Sequence, residues 1–128
     1  MTKKQLIIMA LLVAAAGTIS GCVAAAVGVG AGTVAYVRGD LEAGEAAALD
    51  KVYDATVKAA RQLELKVDNI SKDALTATFT GKDAEKKKVR IKLTSTGEDS
   101  TKISIRIGIF GSETKSRRIY EQIKKNLE

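Results

Sequence analysis

Between Leu65 and Ile109 apolar and polar residues alternate in four successive runs. Leu65 and Val67 alternate with Lys66 and Asp68. Leu75, Ala77 and Phe79 alternate with Thr76, Thr78 and Thr80. Val89, Ile91 and Leu93 alternate with Arg90, Lys92 and Thr94. Ile103, Ile105, Ile107 and Ile109 alternate with Lys102, Ser104, Arg106 and Gly108. A period of two sends successive side chains to opposite faces of a strand. Each run therefore predicts a strand that is apolar on one face and polar on the other, as in an antiparallel sheet covered on one side. The connections at 69–73, 81–87 and 95–100 are short and polar, which predicts a meander of hairpins.

Helical periods flank these runs. From Glu45, the residues Leu49, Val52, Tyr53, Thr56, Ala60 and Leu63 lie on one helix face, with Asp50, Lys51, Asp54, Lys58 and Arg61 on the other. This helix is expected to end near Leu63–Glu64. After the strands, Ser112 can cap a second helix, because its hydroxyl can accept from backbone N–H groups of the first turn. Glu113 suits the positive end of that helix, and Lys124 and Lys125 suit its negative end. Ile119, Tyr120, Ile123 and Leu127 form its apolar stripe. The predicted fold is α+β, a two-layer sandwich of a four-stranded antiparallel meander with both helices on one face, in the order α-β-β-β-β-α over residues 45–128. The segment Thr33 to Leu41 can add a short strand. Aromatic residues make up only 4% of the chain, so Ile, Val and Leu must fill the core.

The N-terminus has a different character. Residues 1–21 read as a secretory signal, with Lys3 and Lys4 before an uncharged apolar stretch from Leu6 to Thr18. That stretch is short of the roughly 20 apolar residues that span a bilayer. It leads to Ile19-Ser20-Gly21-Cys22, which holds the chain's only cysteine and resembles the bacterial lipobox. The resemblance implies a diacylglyceryl group on the Cys22 sulfur, cleavage between Gly21 and Cys22, and acylation of the new amine. Two or more acyl chains give stable anchoring. Val23, rather than Asp, follows the cysteine, and by the same resemblance this favours an outer-membrane location facing the periplasm. Residues 22–44 are expected to form a small-residue tether. Its Val23–Val37 stretch is uncharged and interrupted by Gly28, Gly30 and Gly32. Ala24, Gly28 and Gly32 also share a helix face with GxxxG spacing, which suits self-association in a membrane. A phosphate-cradling loop lacks support, because position 33 is Thr and no βαβ pattern surrounds it.

Composition removes several kinds of chemistry. The chain has no His, which excludes His-based acid–base pairs, Ser-His-Asp triads and His metal ligands. One cysteine excludes an internal disulfide and a thiolate metal cluster. Ser112 and Lys115 fit an S-x-x-K pattern, but its S-D-N and K-T-G partners are missing. Asp83 and Glu85, like Glu98 and Asp99, fall in predicted hairpin loops and read as solvated turn residues. No catalytic residue, metal site or cofactor is therefore expected.

The formal charge of +6 leaves a basic surface. Lys66, Arg90, Lys92, Lys102 and Arg106 project from the polar side of the predicted sheet. If both helices cover the other side, this face is open and suits an anionic envelope component. The competing reading is a solvated face that keeps the protein soluble. Lys86-Lys87-Lys88 reads as the ordinary entry to a strand. The address argues against nucleic acid as a partner.

Tyr36-Val37-Arg38-Gly39-Asp40-Leu41-Glu42, Leu49-Asp50-Lys51-Val52-Tyr53-Asp54-Ala55-Thr56, Phe110-Gly111 and Ser116-Arg117 together resemble a family of small bacterial lipoproteins catalogued only as a domain of unknown function. The resemblance runs along nearly the whole chain and brings no activity, cofactor or catalytic residue with it. The expected function is a lipid-anchored bacterial envelope protein with a small non-catalytic binding or structural domain. The alternatives are an envelope enzyme acting on lipid or cell-wall substrates, and an uncleaved membrane-anchored protein that self-associates through its glycine-rich segment.

Overall fold

The computed structural model describes Lys3, Lys4 and residues 32–128. The lipobox, with Gly21 and Cys22, and the tether up to residue 31 lie outside the described residues. The elements are β1 Val34–Val37, β2 Asp40–Glu45, α1 Leu49–Gln62, β3 Lys66–Lys72, β4 Thr76–Lys82, β5 Lys88–Gly97, β6 Ser100–Ile107 and α2 Glu113–Leu127. They form one antiparallel sheet in the order β1-β2-β6-β5-β4-β3.

The class is the expected α+β sandwich, but among the described residues the sheet has six strands rather than four, in the order β-β-α-β-β-β-β-α. The expected meander accounts for β3 to β6. The two further strands come from residues 34–45: β1 lies within the Thr33–Leu41 segment expected to be able to add a short strand, and β2 is a second strand in a region expected mostly as tether. Leu41 and Ala43 alternate with Asp40 and Glu42, a run with only two apolar side chains. Long-range pairing makes it a strand: Leu41 sits opposite Ile105 and Ala43 opposite Ile103. Both Leu41 and Ala43 are buried. α1 accordingly begins at Leu49 rather than Glu45.

The inner face of the sheet carries Ala77, Phe79, Val89, Ile91, Leu93, Ile103, Ile105 and Ile107, all buried. Val52, Ala55 and Ala59 of α1 and Ile119, Tyr120 and Ile123 of α2 pack onto it. α2 lies over β2 and β6, and α1 over β5 and β6. Asn126 Nδ2 donates to the Ala55 carbonyl (3.1 Å) and ties the helices together. Tyr120 Oη donates to the Glu45 carboxylate and ties α2 to β2. Burial, with Glu45 adding, pushes this phenol above its ordinary pKa.

Three inward assignments are corrected. Val67 stands on the inner side of β3, yet β3 is exposed along its whole length. Six strands about 4.8 Å apart span about 24 Å, more than two helices about 10 Å wide can cover. The far edge strand is left bare, with lysines at both ends and a bulge between Val67 and Asn69 that discourage edge pairing. Leu75 precedes β4 and lies exposed in a turn. Ile109 lies beyond the end of β6, because Gly108 takes a left-handed φ of 74° and ends the alternation.

Candidate anion-binding end of the sheet

The register maps the outward face. One row runs Asp40, Arg106, Arg90, Thr80 and Asn69, and the next runs Glu42, Ser104, Lys92, Thr78 and Ser71. The five predicted basic residues all stand on this face, but in different states. Lys102 pairs with Glu42 at 3.2 Å. Arg106 pairs with Asp40 at 3.3 Å, and Arg90 approaches the same carboxylate at 3.9 Å. Lys66 and Lys92 are exposed and take part in none of the ion pairs among the described residues. The acids of β2 neutralise much of the expected patch, and β2 was missing from the expected sheet.

Arg106 does more than carry charge. Its Nη1 donates to the Arg38 carbonyl at 2.9 Å, and its Nη2 donates to the Ile109 carbonyl. It therefore ties the β1–β2 turn to the β6–α2 loop. The two backbones touch at Gly39 and Gly111. A Cβ on Gly39 would meet the Phe110 carbonyl oxygen at 2.7 Å, and one on Gly111 would meet the Gly39 oxygen at 2.3 Å and the Tyr36 hydroxyl at 2.7 Å. Both glycines also have left-handed φ angles, 90° and 83°. Residues near 36–40 and 110–111, about seventy positions apart, thus build one junction.

A second loop stands beside this junction. Asp83 Oδ1 accepts from the N–H groups of Glu85 (2.9 Å) and Lys87 (2.8 Å), while the N–H of Lys86 bonds the Asp83 carbonyl (3.0 Å). Lys115 of α2 reaches the carboxylates of Asp83 (3.2 Å) and Glu85. Burial alone would raise the pKa of Asp83, but the Lys87 N–H and the Lys115 ammonium outweigh it and hold the carboxyl below the usual range. Glu85 foremost, with Asp83, holds the Lys115 ammonium above its ordinary pKa. Asp83 is therefore an organising residue, only 12% exposed, rather than a solvated turn residue. Glu98 and Asp99 are exposed turn residues, as expected.

This wiring displays Lys86 and Lys87 ahead of Lys88, the first residue of β5. The strand-entry reading of these lysines fits Lys88 and misses the other two. With Arg90, Arg106 and the Gly108–Phe110 segment, the three lysines line an open cleft of about 510 Å³. Ile109 and Phe110 form its rim and are 83% and 90% exposed. On their other side lies a cleft of about 260 Å³ that Lys87 and Lys115 share. The sequence held a usable signal for this arrangement: a glycine on each side of Ile-Phe, which interrupts the strand and presents two apolar side chains in a loop.

Ser112 caps α2, its Oγ accepting from the Lys115 N–H at 3.4 Å, while the Lys115 ammonium points to Asp83 and Glu85. Among the described residues no group of three or more Cys, Asp or Glu side chains is placed to hold a metal ion, and no helix is long and apolar enough to cross a membrane.

Fold and site together define a small α+β sandwich, covered by helices on one side, with a basic end rimmed by apolar residues. The chain belongs to the family described as protein of unknown function (DUF3568), whose model matches residues 5–126. No curated protein matches it.

Proposed function

We propose that this protein is a lipid-anchored bacterial envelope protein, located at the outer membrane and facing the periplasm, whose small domain is a non-catalytic binding module for an anionic envelope component. The observation that carries the anchoring is Ile19-Ser20-Gly21-Cys22 directly after an apolar signal-like stretch, with the chain's only cysteine at the fourth position. The family match starts at residue 5, so this segment belongs to the shared sequence along with the domain. The binding role draws support from the cleft that gathers Lys86, Lys87, Lys88 and Arg90 at one end of the sheet. Such a concentration of positive charge attracts phosphate and carboxylate groups.

Metabolic labelling with an alkyne palmitate tests the anchor. The wild type is expected to incorporate label, and Cys22→Ala is expected to lose it. Equal labelling of both proteins would overturn the reading.

A further inference from the structure

Phe110 is one of two phenylalanines in a chain without tryptophan. The other, Phe79, is in the core. Phe110 and Ile109, adjacent in the chain, instead stand almost fully exposed among the described residues. Their backbone is nonetheless fixed. Arg106 holds the Ile109 carbonyl, and the Phe110 carbonyl packs against Gly39. A pinned loop that projects adjacent large apolar side chains marks a contact surface. Its surroundings indicate the contact: Lys86, Lys87 and Lys88 line the same cleft, and the nearby carboxylates Asp40, Asp83 and Glu85 already face Arg106 or Lys115. Cations around a small apolar tip complement an anionic bilayer surface, with headgroup phosphates at the lysines and acyl chains beneath the tip.

The geometry points to this end of the sheet docking onto an anionic phospholipid surface, with Ile109 and Phe110 entering the acyl region and Lys86, Lys87 and Lys88 engaging the phosphates. The inference rests on the lipid-anchored reading, since so small a tip is a weak membrane grip unless another attachment holds the chain close. Reach is sufficient. At full extension the chain between Cys22 and Gly32 could reach at most about 35 Å, whereas the sheet is about 25 Å from the end where β1 starts to Ile109. The domain would then lie against the membrane by a defined end.

Since the chain lacks tryptophan, Phe110→Trp places a single reporter at the tip, and Leu75→Trp places one at the opposite end, where Leu75 is also exposed. Each lipidated full-length variant is reconstituted into vesicles containing bromine-labelled lipids, with either phosphatidylglycerol or phosphatidylcholine headgroups. The Phe110→Trp emission is expected to shift to the blue and be quenched in the phosphatidylglycerol vesicles alone, with Leu75→Trp unaffected. Adding Lys86→Glu and Lys87→Glu should abolish the quenching, with circular dichroism unchanged. Equal quenching at both ends, or none at position 110 in a folded protein, would overturn the docking and leave a protein or soluble anion as the partner. Palmitate labelling is read separately, so loss of the anchor and loss of docking give different results.

Discussion

The two ends of the sheet are closed by different kinds of bond. At the end near β1's start, the turns are self-contained. Asp73 accepts from the N–H groups of Leu75 and Thr76 at 2.9 Å each and from the Thr76 hydroxyl at 3.0 Å, all within three residues. The β5–β6 turn closes with Ser95 on Gly97 and Thr96 on Ser100, again within four residues. At the opposite end the Asp83 loop has local bonds of its own to Glu85 and Lys87, but long-range contacts fix it to the rest of the fold: Arg106 to Arg38 spans 68 residues, and Lys115 to Asp83 spans 32. A local turn needs only its own residues. The long-range end needs the whole fold in place, and it holds two exposed apolar side chains in one position.

This contrast is broken most directly at the glycines. Gly111→Ala forces a left-handed φ and drives a methyl group into the Gly39 backbone, which no side-chain movement relieves. It should destabilise the protein by about 2–4 kcal/mol. Gly97→Ala meets only the Ser100 Oγ, at 2.8 Å, and that hydroxyl can rotate away. It should stay within about 1 kcal/mol. Urea unfolding of both variants measures the difference, and similar values would mean that the junction is softer than its contacts indicate.

A smaller effect is expected from the cations. Arg106→Ala removes bonds to two backbone carbonyls and to Asp40, from a side chain only 29% exposed. The loss should be about 1–2 kcal/mol. Lys102→Ala removes one ion pair to Glu42 and should cost no more than about 0.5 kcal/mol. Equal losses in urea unfolding would show that Arg106 acts as an ordinary surface charge.

The same contrast marks what a single sequence discloses. Ile91, Leu93, Ile103 and Ile105 are legible because strand alternation is a local pattern, and all four are buried as that pattern requires. The cap at Ser112 is legible for the same reason. β1 is legible in part, inside the Thr33–Leu41 segment, but β2 is not, because two apolar residues are too few to define a period and its partner β6 lies some sixty residues further on. The exposure of Val67 depends on helix width against sheet width, a global quantity. The site divides likewise. All five basic residues fall on the predicted face, but the acids that neutralise Lys102 and Arg106 come from the strand that local pattern missed. Lys86 and Lys87 gain their place from Asp83 and Lys115, which sequence brings no nearer than thirty residues.

Titration sharpens the comparison with the smallest effect. Asp73 and Asp83 stand at opposite ends, and both carboxyls are held below the ordinary range. For Asp73 the causes are the Leu75 and Thr76 N–H groups. For Asp83 burial opposes the shift and is outweighed by the Lys87 N–H and Lys115. A depressed folded pKa contributes stability that is present above the ordinary value of 3.8 and is lost as pH falls below it through the folded pKa. Asp73→Asn and Asp83→Asn should therefore each flatten the loss of stability below about pH 4. Lys115 adds an alkaline arm. Its raised pKa contributes stability that is present below 10.5 and is lost as pH rises through the folded value. Because Asp83 is one of the groups that raise it, after Glu85, Asp83→Asn should also soften the alkaline loss, whereas Asp73→Asn should leave it unchanged. Urea unfolding across both pH ranges distinguishes the ends: a variant at the local end alters one arm, and a variant at the long-range end alters both. If Asp73→Asn changed the alkaline arm as much as Asp83→Asn, the coupling of Asp83 to Lys115 would contribute nothing distinctive to stability.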